Sequence, residues 1–358
     1  MKRAELINLV REFPDRSIQW LLETPDNVRG LLTIISSDLA SRINYSQLTN
    51  LKRTFILDNF RKREADIVFE APFVDESENT SSEVIIYILI EHQSTIDPTI
   101  PFRLLSYMIQ IWDMQRREWE NKKLPLNQWR FCPILPIVFY TGSQRWELPS
   151  DMGQLMDLPV SLERFIPRHE TLFLDLKTTD PEQLTKENHP FGWVLQVIQK
   201  EEATQEEFKD ALHFAVQHLE LMLPDERANW EKLMHFLFAF INHRREQSEQ
   251  SELFEVVQNA VSDKSHRKEM EKMGKTMAQA LMEEGEIKGK IEGKIEGKIE
   301  GKIEGLHDAV SLGLELKFGT DSIVLMDKVL KVESVEKLEK IIKTIKIAKK
   351  IEEIEKLI

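Results

Sequence analysis

The sequence predicts an α/β fold with a mixed central sheet flanked by helices, followed by an all-helical C-terminal region. Three observations carry this. The segment "VIIYILIE" (84–91) is an almost unbroken β-branched and aliphatic run, the mark of a central strand buried on both faces. A helical pattern after Pro98 and a second apolar run, "PILPIVFY" (133–140), come next. Strand, helix, strand in that order implies a right-handed crossover and at least one parallel pair. From residue 191 to 260 the pattern is helical throughout.

The elements follow in chain order. "PDRSIQWLLETPDNVRGLLTIIS" (14–36) reads as helix interrupted near Pro25, with Asp15 as N-cap, since a short carboxylate accepts the free amides of a first turn. "ADIVFEAPF" (65–73) reads as a strand carrying Ile67 and Phe69 on one face. The polar stretch "VDESENTSSE" (74–83) then forms a hairpin-type loop into the central strand. In "PFRLLSYMIQIWDMQRREW" (101–119), Leu104, Leu105, Met108, Ile109 and Trp112 recur at helical spacing, which favours Trp112 and Trp119 as packing residues over base-stacking platforms. "TLFLDLK" (171–177) is a third short strand, with Asp175 inside it and no role assigned. The resulting division is an α/β domain over 1–190, a helical extension over 191–261, a charged, partly helical repeat linker over 262–305 and a helical module over 306–358.

Composition narrows the function classes. With 41% hydrophobic and 30% charged residues among 358, the chain can bury a core behind a well-solvated surface. The single cysteine, Cys132, excludes an internal disulfide and fits a reducing cytoplasm; beside an apolar run it reads as a buried structural thiol. No basic, apolar, small-residue pattern opens the sequence, and its apolar runs are too short to cross a bilayer, so the expectation is a cytoplasmic protein without membrane contact. A net charge of −13 argues against a protein that coats nucleic acid electrostatically, but leaves room for an enzyme with a local basic patch.

One constellation points to chemistry. Metal-assisted phosphodiester hydrolysis needs two acidic groups to hold Mg²⁺ and a third polar group to orient water. Asp66 stands at the start of the first strand, Glu91 ends the central strand, and Gln93 follows. Residues i and i+2 of a strand share a face, so Glu91 and Gln93 project together and His92 points away, toward a structural or surface role. A hairpin brings Asp66 beside this pair. The competing reading makes these residues polar punctuation at strand ends. Arg61, Lys62 and Arg63 are candidate phosphate contacts or a solvated basic run, and Glu64 is a solvated or ion-paired neighbour. "TGSQRW" (141–146) either lines a cleft or forms a turn anchored by Trp146.

The strings "PDNVRGLL", "RKREADIVFEAPF", "ILIEHQSTIDPTIPFRLLSYMIQIW", "ILPIVFYTGSQRW" and "LFLDL" closely resemble the bacterial recombination-promoting nucleases, the family of YhgA-type transposase-like domains. The resemblance continues to "LGLELKFG" and covers nearly the whole chain. It implies a restriction-endonuclease-like PD-(D/E)XK core and Mg²⁺-dependent DNA cleavage that promotes recombination, with Mn²⁺ as substitute metal. Matched by position, the family's strand carboxylates fall on Asp66 and Glu91, and the usual Lys of the motif is Gln93 here, which hydrogen-bonds but carries no charge. The His-Asp pair frequent near the family's N-terminus is Pro14-Asp15 in this chain. The substituted lysine and the acidic net charge leave a second reading open: a catalytically weak DNA-binding or protein-interaction module that keeps the nuclease fold.

The repeat "GKIEGKIEGKIEGKIEG" (289–305) has no phosphate-loop pattern. Its four-residue period drifts about 40° per repeat on a helix, so the isoleucines trace a slow spiral between alternating Lys and Glu, with helical ion pairs expected. It reads as a partly helical spacer or a weak coiled coil. The tail "VEKLEKIIKTIKIAKKIEEIEKLI" (335–358) is an amphipathic helix suited to packing on the chain or pairing in a homo-oligomer.

Overall fold

The apolar run at 84–91 becomes the middle of a five-stranded mixed sheet in the order β1 (Thr49–Asn50), β2 (Ile67–Asp75), β3 (Ser82–Gln93), β4 (Ile134–Tyr140), β5 (Leu172–Asp175). This computed structural model describes residue 13 and residues 16–51, 67–75, 82–147 and 151–358. The chain divides into two units, Met1–Ala280 and Leu281–Ile358.

In the first unit β1–β2 and β2–β3 are antiparallel, whereas β3–β4 and β4–β5 are parallel. The β2–β3 ladder runs from Ile67 opposite Ile90 to Asp75 opposite Ser82, the hairpin that the polar stretch between them predicts. Helix α1 (residues 16–22), α2 (Pro25–Ile35) and α3 (Ser37–Ser41) come before the sheet. Pro25 occupies the first turn of α2, where its missing N–H costs nothing. The parallel pair β3–β4 is joined by α4 (Ile100–Asn121), whose buried Ile100, Leu104, Tyr107 and Met108 pack with Leu89 of β3 and Val138 of β4. The four helix residues lie at the three- and four-residue spacing that keeps one face of a helix on a sheet.

After β5 come α5 (Pro181–Thr185), α6 (Pro190–Gln199), α7 (Gln205–Glu220), α8 (Arg227–Arg244) and α9 (Gln247–Ala260). Thr204 and Glu207 close a reciprocal capping box on α7. Helix α8 is buried nearly all round: Trp230, Leu233, Met234 and Phe236 through Ile241 are all inside, so it serves as the axis of the helical layer. Phe13 reaches it through Phe236, ring centroids 5.4 Å apart. Helix α6 is held so close to α5 that a Cβ on Gly192 would lie 2.0 Å from the Leu184 carbonyl oxygen. Backbone cannot swing aside as a side-chain tip does. Gly192→Ala is therefore expected to cost at least about 2 kcal/mol in a denaturant titration; unchanged stability would mean that α5 moves freely.

Helix α10 (Lys264–Phe318) contains the boundary between the units and the whole repeat. In the second unit α11 (Ile323–Val329), α12 (Val335–Ile347) and α13 (Glu352–Glu355) close a small core. Leu338, Ile341 and Ile345, the apolar stripe of the tail, are buried against Val310, Leu314, Leu325 and Val329. The tail thus spends its apolar face within its own chain. The repeat itself is helical throughout, although each Gly costs about 1 kcal/mol against Ala. Among the described residues no ion pair joins two positions of the repeat; Lys302 instead pairs with Glu339 of α12 at 2.9 Å. The period explains this. In "GKIE" the residue four away from a Lys is another Lys, and four from a Glu another Glu, so the helical neighbours carry like charge.

Candidate active site

Strand β3 ends in Glu91, His92 and Gln93, and alternation sends them to two faces. Glu91 shares a face with Leu89, which lies under α4, and its carboxylate is fully buried. A buried carboxylate requires compensation, and the start of α4 supplies it. Asp97 accepts hydrogen bonds from the Thr99 amide (2.8 Å) and hydroxyl (2.6 Å), shaping the turn into the helix. One turn later Arg103 donates from Nη1 to Asp97 Oδ2 at 2.7 Å and from Nη2 to Glu91 Oε1. Nη2 also lies 3.5 Å from the Tyr107 hydroxyl. Burial opposes the charge on Arg103, but Glu91 and Asp97 outweigh it and hold the guanidinium protonated. Burial likewise works against the Asp97 carboxylate; its bonds to Thr99 and Arg103 prevail and keep it below the usual range. Arg103 Nε is buried with no hydrogen-bond partner among the described residues.

Gln93 joins this group from the strand. Its Nε2 donates to Glu91 Oε1 at 3.2 Å and to the His92 carbonyl at 2.9 Å. Glu91 and Gln93 are thus together, as their spacing predicts. Asp66, the second carboxylate of the constellation, lies outside the described residues, as do Asp15, Arg61, Lys62, Arg63 and Glu64. Ile67, bonded to Asp66, pairs with Ile90, the neighbour of Glu91. Among the described residues no three His, Cys, Asp or Glu side chains form a metal-holding group. Arg103 and Asp97 escaped the sequence reading. The signal available was a lone Arg four residues before Tyr107, on the face of α4 that faces the sheet.

His92 faces the other way. It lines a cavity of about 170 Å³ with Phe13, Ile18, Thr141, Ile198 and Phe236, and its Nε2 lies 2.9 Å from Thr141 Oγ1. Burial pushes its pKa down to about 4, so the ring is neutral at pH 7. The unfolded chain binds a proton near pH 6.5 and the folded chain only near 4. The stability this ring contributes is therefore whole above about pH 6.5 and is lost as the pH falls toward 4, by at most about 3 kcal/mol. His92→Gln should flatten that limb of a stability-versus-pH curve; an unchanged limb would assign acid sensitivity to other groups.

The remaining candidates have structural places. Asp175 pairs in register with Tyr140, which pairs with Gln93, and its Oδ1 accepts from the Lys177 amide at 3.1 Å to shape the turn after β5. Trp146 anchors its loop against Tyr140 and Phe173, with centroids 4.9 and 5.4 Å away. Trp112 packs on the α4 core and donates to the Cys132 carbonyl, and Trp119 packs against Trp129 and Phe131. Cys132 is half-buried, less enclosed than expected beside its apolar run, and burial raises its thiol pKa. No described helix is long and apolar enough to cross a membrane.

Comparison with known proteins adds the family context. Over 131 residues the chain is 28% identical to the recombination-promoting nuclease RpnD of Escherichia coli O157:H7, an alignment covering 36% of this chain and 45% of that relative. The match thus spans less than half the relative's length. No solved structure matches the chain. Residues 14–228, which take in the sheet, α4, the Glu91–Arg103–Gln93 group and the first helices beyond, match a single family along their whole length. The chain therefore belongs to the family described as "Putative transposase, YhgA-like".

Proposed function

We propose that this protein is a metal-dependent DNA endonuclease with a restriction-endonuclease-like PD-(D/E)XK core, cutting DNA to supply ends for recombination or transposition in the cytoplasm. The observation that carries the reading is the group at the end of β3: a buried Glu91, a neighbouring Gln93 and a charged Arg103, with the chain arriving at Ile67 opposite Ile90. Family membership and the name of the relative support the nuclease and recombination parts.

The donor chemistry fits a hard cation, because the carboxylates of Glu91 and Asp66 and the amide oxygen of Gln93 are the oxygen ligands that Mg²⁺ or Mn²⁺ selects. Asp66 and Glu91 would hold the metal, which when bound lowers the pKa of a water and offsets charge on the phosphate. Gln93 would orient the water or the scissile phosphate by hydrogen bonding. Arg103 would provide the positive charge that a Lys at position 93 would have brought, held beside Glu91 by its ion pairs. Arg61, Lys62 and Arg63 would meet the DNA backbone beside the site.

The test is cleavage of supercoiled plasmid by the full chain with Mg²⁺ or Mn²⁺. Conversion to nicked or linear DNA that EDTA stops is the expected result, and intact plasmid under every metal overturns the reading. A second reading, a module that keeps the fold without catalysis, draws on the Glu91–Arg103–Asp97 network, which engages the carboxylate within the protein itself. It requires Mn²⁺ affinity to be the same in the parent and in Glu91→Gln.

A further inference from the structure

The repeat helix carries an apolar stripe that its own chain leaves open. Ile287, Ile291, Ile295 and Ile299 are 45%, 54%, 53% and 49% exposed, whereas Ile303 packs on the core of the second unit. The glycines do nothing to close that face: around Gly285, Gly289, Gly293, Gly297 and Gly301 an added Cβ would meet no atom within 4 Å. A helix interrupted by Gly every four residues, with like charges one turn apart, has little to hold it in isolation. A partner along the stripe would bury the isoleucines and put the charges to use.

The order of the repeat names that partner. At about 100° per residue, Lys precedes each Ile on one flank of the stripe and Glu follows on the other, with Gly behind. When two identical helices face each other in parallel and in register, the flank before the stripe of one meets the flank after the stripe of the other. Lys294 and Lys298 of one copy then oppose Glu296 and Glu300 of its partner, on both sides of the seam. In the antiparallel arrangement each flank meets itself, and at the centre of the seam Lys290 faces Lys294 and Glu292 faces Glu296. The first repeat is inverted, Glu286-Ile287-Lys288, and in parallel register it too meets opposite charges, whereas an antiparallel seam would match charges only at its two ends, Glu286 with Lys298 and Lys288 with Glu300. We propose that the protein self-associates through the Ile287–Ile299 stripe as a parallel, in-register helix pair. A four-residue period exceeds 3.6, so the seam winds as a right-handed superhelix, opposite to a heptad coiled coil. The tail at 335–358 is not the contact, since its apolar face is closed within the chain.

Sedimentation of the full chain tests association, and cysteine pairing tests direction. In a Cys132→Ser background the parent is expected to sediment as a dimer, and Ile291→Lys/Ile295→Lys to weaken dimerisation about 100-fold or more. Ile287→Cys alone and Ile299→Cys alone should each give disulfide-linked homodimers on mild oxidation. A monomeric parent, or a dimer unaffected by the double substitution, overturns the proposal. Cross-linking only when the two single-cysteine chains are mixed shows an antiparallel pair and overturns it as well. Because the helix itself forms the seam, a charge swap guards against simple unfolding. Lys290→Glu/Lys294→Glu/Lys298→Glu keeps every isoleucine and should still dissociate the dimer, an effect that salt should lessen; an unchanged dimer overturns the charge argument.

Discussion

Plasmid cleavage is expected to fall at least about 100-fold when Glu91 is replaced by Gln or Asp66 by Asn, with the chain still folded. Each substitution keeps the side chain's shape and removes one unit of negative charge, so it weakens a cation's hold more than it disturbs packing. Glu91→Gln is the sharper probe, because Glu91 is fully enclosed and bonds both Gln93 and Arg103. Arg103 keeps Asp97 when Glu91 loses its charge, so the guanidinium is not left bare. Titration with Mn²⁺ supplies the second readout: both variants should bind the metal at least about tenfold more weakly than the parent. Cleavage lost with metal affinity intact would turn Glu91 from a ligand into a group that positions Arg103. Full cleavage by both variants would remove the assignment altogether.

How far the fold could be read in advance depended on how local its signals are. Periodicity is local, and β3, the α4 crossover and the buried tail stripe all follow from it. The two-residue edge strand β1 has no periodicity to detect, and it exists only because Thr49 and Asn50 lie against Glu70 and Phe69. Glu70 reads as a polar residue on a strand, but across the ladder it accepts a hydrogen bond from the Tyr87 hydroxyl at 2.9 Å, a pairing fixed by register alone. The site divides the same way. Glu91 and Gln93 are two residues apart on one strand, so alternation places them together. Arg103 is twelve residues from Glu91, and only the packing of α4 across β3 and β4 brings its guanidinium to the carboxylate. A positive charge beside Glu91 and Gln93 is thus present in space, contributed by a helix.

Breaking that ion pair from one side should also be costly to the first unit. Arg103→Met removes the guanidinium that pairs with the buried Glu91 carboxylate, and breaking a buried pair from one side is expected to cost about 3–5 kcal/mol. Glu91→Gln should cost clearly less, since Arg103 retains Asp97 and Gln93 can still hydrogen-bond the new amide. Combining the two, Glu91→Gln/Arg103→Met, should recover most of the loss from Arg103→Met, because the fully enclosed carboxylate is then gone and Asp97 is partly exposed and keeps its bonds from Thr99. Denaturant titration of the four proteins closes the cycle, and simple additivity would show that the two side chains do not interact. Arg103→Lys separates charge from geometry: Lys restores the cation but cannot reach Glu91 and Asp97 together through a planar fork. It should regain more stability than cleavage, since a fork held between two carboxylates also fixes where the positive charge stands beside Glu91. Equal recovery of both would mean that Arg103 acts in this protein as a counter-ion and nothing more.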